Sequence, residues 1–316
     1  MITKEKLPNF VVAGAAKSGS TTLYHYLKAH PEVFLPERKE SRFFASEKLH
    51  HTIGYNKTSV FTDEEFKAPY EAVSPSQKAI GDFGNLYQIF PSLSITNIKQ
   101  HLGTDVRLVF ILRNPVKRAY SAYQMARRNF YEEETFSRGL ELEEQRLSAG
   151  QVPCDIIAYK KMGDYFPAIT AFQKHFPVHI IILEELEKDP QAVMSELFDF
   201  LAIDPSFQIQ TAATFNKGGT MPSSKVSVQK FQRFLKSLKP IFGKIPGLSA
   251  FSEWMVNRLA SRVKKNNTKA AEPLSVGMEN RLQLLFSEGV SQLSQLISKD
   301  LNTLWGIPKK DEDGHR

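Results

Sequence analysis

The chain has 316 residues, of which 41% are apolar and 24% charged, the make-up of an ordinary globular protein with enough length to bury a sizeable core. A single cysteine, Cys154, excludes an intrachain disulfide and a cysteine metal cluster. No apolar run is long enough to span a bilayer and no signal-peptide core follows Met1, so a cytoplasmic protein of net charge +7 is expected.

In chain order, residues 10–13 form a short apolar run of the kind that fills a buried parallel strand. Small residues follow at 14–16 and 18–20, and Leu23, Tyr24, Tyr26 and Leu27 then recur at helical spacing. The pattern predicts a strand, a tight turn and a helix. Such a turn leaves N–H groups at the helix start unpaired around one concavity, where the helix dipole favours negative charge. Lys17 adds a cation, and Ser18, Ser20, Thr21 and Thr22 add hydroxyl donors. The residues therefore point to a site for phosphate or a close relative. The common triphosphate loop, G-x-x-x-x-G-K-[ST], carries its lysine after the last glycine. Here Lys17 precedes Gly19, so the arrangement for a metal-chelated triphosphate is missing. The plainer alternative is a turn whose small residues only permit close packing.

Pro31 ends the first helix, and an extended stretch runs to Pro36. Glu37, Arg38, Lys39 and Glu40 form a charged run before Ser41, Arg42, Phe43 and Phe44. Residues 45–78 read as irregular or short-helical, the type of span that walls a cleft. A second strand is expected from Ala79 and a helix over 91–102. Residues 105–112 form the clearest buried strand, and Pro115 suits the first turn of the helix after it. Arg113 then stands at the strand's carboxyl end, where open parallel sheets bind ligands, with Ser121 about two helical turns on. A guanidinium and a hydroxyl on one cleft can hold a phosphate. Helix capping or a surface salt bridge is the alternative for Arg113.

Residues 130–150 form an acidic helical stretch, read as a solvated face. A helix is expected over 156–176, a strand over 178–183, and a helix closing near 198–201. The stretch 216–225 contains Lys217, Gly218 and Gly219 and suits either a phosphate-contacting loop or a linker. Between 225 and 269 eleven lysines and arginines face only Glu253, a local balance of +10 that leaves the remaining chain at about −3. That imbalance suggests an anionic partner, and its 226–242 portion has the spacing of an amphipathic helix. A helix over 278–304, then Trp305, precedes a polar tail at 309–316. Strands alternating with helices, without repeats, predict one α/β domain over 1–316. In it a central parallel sheet is flanked by helices, a P-loop-like turn lies at the sheet's C-terminal edge, and the basic 226–270 segment is an internal part.

These motifs resemble the sulfotransferases that use 3′-phosphoadenosine 5′-phosphosulfate, in particular the carbohydrate- or glycosaminoglycan-type and related bacterial enzymes. Residues 14–22 are similar to the family's 5′-phosphosulfate loop. Lys39-Glu40-Ser-Arg-Phe-Phe44 resembles the segment holding the catalytic glutamate, and Leu112 to Ser121 resembles the 3′-phosphate site. Glu184-Glu-Leu, Asp189-Pro190 and Leu304-Trp305 are similar to family landmarks. The resemblance implies metal-free, in-line transfer of a sulfuryl group to a hydroxyl of a carbohydrate or glycolipid, with adenosine 3′,5′-bisphosphate as product. It implies Lys17 and Glu40 as catalytic residues, Glu40 being the general base. Ala16, Lys17, Ser18, Gly19, Ser20, Thr21 and Thr22 would hold the 5′ end; Arg113, Ser121, Lys217, Gly218 and Gly219 would hold the 3′-phosphate. His25, His30 and His51 are alternative bases.

One departure stands out. Where the carbohydrate-directed branch often has Glu-Lys-Ser/Thr-Pro, this chain has Asp82-Phe83-Gly84-Asn85, so the lysine of that string is missing at Phe83. Two rivals remain. A P-loop kinase or nucleotide triphosphatase would need Mg²⁺. A non-enzymatic protein would hold nucleic acid or acidic lipid on 225–269, where the aromatic interleaving expected for single strands is thin. The partners expected are a small-molecule, glycan or glycolipid acceptor and a peripheral membrane surface, not nucleic acid.

Overall fold

The computed structural model describes residues 4–49, 55, 59–129, 131–150, 154–210, 220–222, 268–270 and 272–309. The chain divides into two compact units. The first comprises residues 1–123, 134–217 and 274–316, and the second residues 124–133 and 218–273. In the second, strands β6 (Thr220–Pro222) and β7 (Thr268–Ala270) pair antiparallel. The helix expected over 226–242 lies outside the described residues.

The first unit is organised by five parallel strands: β1 (Phe10–Gly14), β2 (Val33–Phe34), β3 (Ala79–Phe83), β4 (Arg107–Leu112) and β5 (Val178–Ile182), in the spatial order β2-β3-β1-β4-β5. Alternate residues along each strand face opposite layers. Val11, Ala13, Leu108, Phe110 and Leu112 join one core, packed under Ile95 and Ile98 of α3 (Pro91–Leu102), Ile169 and Phe172 of α7 (Tyr165–Gln173), and Leu282 and Phe286 of α10 (Val276–Ile297). Phe10, Val12, Val109 and Ile111 join the other, packed under Leu23 and Leu27 of α1 (Ser20–Ala29) and Met194, Leu197 and Phe198 of α9 (Pro190–Phe200). Covering on both faces explains why β1 and, after Arg107, β4 are unbroken apolar runs rather than alternating ones. Each such buried side chain contributes about 1.5–3 kcal/mol.

From β1 the chain goes first to β2 and β3 on one side and then to β4 and β5 on the other. The crevice where this reversal occurs lies between the carboxyl ends of β1 and β4, the place where such sheets hold ligands.

Three expected elements differ. The helix expected over 156–176 is broken: α6 (Cys154–Ile157) and α7 flank an irregular turn. The carbonyls of Ala158 and Tyr159 accept from the Arg118 guanidinium there, at 2.6 and 3.1 Å. The acidic stretch forms α5 (Phe136–Ala149), yet Glu143 on it is buried rather than solvated. Its carboxylate accepts the N–H groups of Lys160 and Lys161 at 2.7 and 2.9 Å, closing the other side of that turn. The last helix also divides, into α10 and α11 (Leu301–Trp305), at Ser298, whose φ of 53° is left-handed.

Candidate active site

The turn after β1 is built for close approach. Gly19 has φ of 95°, and a Cβ added there would lie 2.5 Å from Leu183 Cδ1, so only glycine fits. Lys17 also takes a left-handed φ of 69°, an unusual conformation for a residue with a side chain. The first intrahelical bond of α1 runs from Leu23 N–H to Gly19 O, which leaves the amides of the helix's first turn facing the crevice.

Two arginines from the β4–α4 segment hold this turn by its backbone. Arg118, on α4 (Pro115–Arg128), is fully buried and donates from Nε to Ala16 O at 3.0 Å. Arg113 reaches Lys17 O from its Nη1 at 3.4 Å. Consecutive carbonyls are thus fixed by one arginine from the β4–α4 connection and one from α4 itself. Burial pulls the Arg118 guanidinium down to about 10, still far above neutrality, so it stays charged. Arg113 is itself seated by its neighbours: its carbonyl accepts from Tyr165 OH at 2.8 Å. Asn114 caps α4 through bonds from the Val116 and Lys117 amides to its Oδ1. The Asn114 amide donates to Glu184 Oε1, its Nδ2 donates to Trp305 O, and Trp305 Nε1 donates to Glu184 Oε2. Glu184 and Trp305, distant landmarks in the sequence, meet beneath Arg113.

The opposite wall carries Glu40. An isolated parallel bridge between Glu40 and Phe83 continues the β2–β3 edge of the sheet. Asn85 Nδ2 donates to Glu40 Oε1 at 2.7 Å, and Arg42 Nη2 donates to Oε2 at 2.7 Å. Asn85 Nδ2 also reaches Ser20 Oγ at 3.3 Å, so the carboxylate is tied to the first residue of α1. The Arg42 guanidinium stacks 4.8 Å from the Tyr55 ring centre, and Tyr55 OH donates to Asp155 Oδ1. Removal from water and the negative charge of Glu40 push Asp155 up to about 7, while Arg42 and Lys17 oppose them.

Asp82 lies behind this wall and takes hydrogen bonds from Ser41 Oγ and Tyr87 OH, both at 2.8 Å. Burial pushes its carboxyl up to about 7 in spite of those donors. An unfolded aspartate titrates near ~3.9. The folded protein therefore binds this proton more tightly than the unfolded chain. The associated stability is complete below about pH 4 and is lost as pH rises through about 7. Asp82→Asn is expected to remove that part of the pH dependence. The melting temperature of the variant, relative to wild type, should rise between pH 4 and pH 8; parallel curves would contradict it.

Of the residues expected from sequence, Ala16 to Thr22 form the turn and the first residues of α1, Arg113 bonds Lys17 O, and Glu40 is tied to Ser20 through Asn85. Ser121 is half-buried on α4. Lys217, Gly218, Gly219 and His51 lie outside the described residues. His25 is exposed on α1. His30 is buried, its Nδ1 accepting the Glu32 amide at 3.1 Å within the turn that ends α1 and its Nε2 bonded to Asp204 O at 3.0 Å, so both ring nitrogens have structural partners. Sequence reasoning passed over Arg118, Asn85, Tyr55 and Asp155. Arg118 had a signal: with Ala119, Ala122 and Ala126 it falls on the buried face of α4, where small neighbours leave room for a long side chain. Among the described residues, no three His, Cys, Asp or Glu side chains group as a metal site, and no helix is long and apolar enough to cross a membrane.

Comparison with known proteins bears on what this crevice is for. The sequence pattern of the sulfotransferase domain matches residues 7–238. The chain belongs to the sulfotransferase domain family. A solved sulfotransferase from Alicyclobacillus acidocaldarius shares its fold, with a TM-score of 0.71 at 22% identity over 95% of this chain and 99% of that one. A human bifunctional heparan sulfate N-deacetylase/N-sulfotransferase 3 is 25% identical over 68% of this chain and 24% of its own length. The membrane-associated sulfotransferase kil1 of Dictyostelium discoideum is 32% identical over 38% of this chain and 23% of its own length. This sulfotransferase-family chain thus spans about a quarter of the curated relatives it matches.

Proposed function

We propose that the protein transfers a sulfuryl group from 3′-phosphoadenosine 5′-phosphosulfate to an acceptor hydroxyl on a carbohydrate or glycolipid. The observation that carries this is the joining of two functions at one helix start. A cation-lined turn suited to an anion and a carboxylate suited to take a proton are linked through Asn85 and Ser20. The donor supplies an activated sulfuryl group. Its S–O bond to the 5′-phosphate breaks with the electron pair left on phosphate, the acceptor oxygen forms the new S–O bond, and the acceptor proton passes to Glu40. The α1 amides and Lys17 stabilise the charge that builds on the leaving phosphate, an effect worth on the order of 10²–10³ in rate per donor. Arg42 and Asn85 orient Glu40. Asn85 Oδ1 is buried without a partner among the described residues, which leaves an acceptor for an incoming O–H or N–H. Ser121, Lys217, Gly218 and Gly219 complete the 3′-phosphate site with Arg113 in this reading.

Calorimetry is the direct test. Adenosine 3′,5′-bisphosphate should bind at least ten times more tightly than ATP with Mg²⁺; the reverse order would make the protein a nucleotide enzyme of the P-loop type. Arg113→Ala should weaken bisphosphate binding roughly ten- to hundredfold, the loss of one charged pairing. Unchanged affinity would move the 3′-phosphate elsewhere. The N-sulfotransferase activity of the heparan sulfate relatives favours a second reading, in which the acceptor is an amino group. Heparan-type glycans with free hydroxyls only, compared with glycans carrying free amines, decide between oxygen and nitrogen. A cytoplasmic enzyme that meets its acceptor at a membrane surface through the basic segment belongs to the same proposal, supported by the charge of residues 225–269 and by the name of the membrane-associated relative.

A further inference from the structure

Lys39 occupies a place that ordinary packing does not favour. Its Nζ donates to Ser20 Oγ at 3.0 Å and to Thr21 Oγ1 at 3.3 Å, the hydroxyls of the first two residues of α1. It lies 3.7 Å from Glu40 Oε1 and 5.7 Å from the centre of the Phe83 ring, with its side chain only 20% exposed. A helix N-terminus is positive, so a cation there is unfavourable unless an anion joins it. Burial pulls the Lys39 amine down and the Glu40 charge pulls it back up. Glu40, the carboxylate beside Lys39, is shared with Arg42 at 2.7 Å.

We propose that Lys39 is a second cation of the transfer site, in contact with the sulfuryl group and bridging it to Glu40. This rests on the sulfotransferase reading above. An ammonium has three donors and no acceptor. Two of them meet hydroxyl lone pairs, which turns the Ser20 and Thr21 hydrogens outward toward an anion seated on α1. The third faces the side where Glu40 takes the acceptor proton. The same side chain accounts for the missing lysine at position 83: the amine stands over the phenyl ring that replaces it, delivered from the neighbouring segment.

Contact with the sulfuryl group alone separates Lys39 from the residues that hold phosphates. The test compares binding of the intact donor with binding of adenosine 3′,5′-bisphosphate, which lacks that group, by calorimetry without an acceptor. Lys39→Met should weaken donor binding ten- to hundredfold and bisphosphate binding less than threefold. Lys39→Arg, which keeps the charge, should recover at least part of the donor affinity. Lys17→Met should weaken both ligands. Equal losses for both ligands in Lys39→Met would reduce Lys39 to a support of the turn, and no loss for either would remove it from the site; each result overturns the proposal. Failure of the sulfotransferase reading has a different signature, because wild-type protein itself would then bind neither ligand.

Discussion

Glu40→Gln is expected to lower sulfuryl transfer by 10²–10⁴-fold while leaving the affinity for adenosine 3′,5′-bisphosphate within about threefold. Glutamine matches the carboxylate in shape and can still accept from Asn85 Nδ2, so the wall between Ser20 and Phe83 keeps its form. It cannot take a proton, and it loses the charge paired with Arg42 at 2.7 Å. Binding and turnover should therefore separate. The measurement is bisphosphate release from the donor in the presence of a heparan-type acceptor, beside calorimetry on the same preparation. Turnover within fivefold of wild type would remove Glu40 from the base role and return the question to the cleft's other proton acceptors, with Asp155 first among them because its carboxyl titrates near neutrality.

Arg118→Met should destabilise the fold by about 3–5 kcal/mol, because three buried carbonyls each lose a charged donor at a cost of ~1–3 kcal/mol apiece. In a chain of this size that corresponds to a fall in melting temperature on the order of 10 °C. Methionine fills much of the volume, but the carbonyls of Ala16 and Tyr159 lose this donor and Ala158 O keeps only the Met162 amide, at 3.4 Å. Bisphosphate binding should fall too, even well below the melting transition, because the Ala16 carbonyl is no longer held. Arg118→Lys keeps the charge but not the fork that serves several carbonyls at once, so it should rescue only part of the loss. A variant that melts like wild type would show that the turn is held by its own packing.

The sheet was legible because its strands are buried on both faces. Residues 10–13, 108–112 and 180–183 are apolar without interruption, and the turn at Gly19 is local in sequence. The Glu40 segment was legible only through its resemblance to a family. Without that, a carboxylate in a charged run reads as a surface ion pair. What stayed hidden was non-local: Tyr55 and Asp155 are a hundred positions apart and meet through the Tyr55 hydroxyl, with Arg42 stacked on the Tyr55 ring. The break between α6 and α7 was hidden for the same reason, since it answers to a guanidinium on another helix. The acidic run misled because five of its carboxylates drew attention away from Glu143, the one that the turn at Lys160 and Lys161 captures.

The grip of Arg118 and Arg113 on main-chain oxygens has a consequence for how such a turn can change. Its shape is dictated from a different helix and through atoms that every amino acid possesses. The side chain at half-buried position 17 can therefore be exchanged for one that prefers another ligand, while buried Ala16 and Ser18 stay with the packing of the curve. The vessel and its lining are inherited separately, and the second can be re-cut while the first stands.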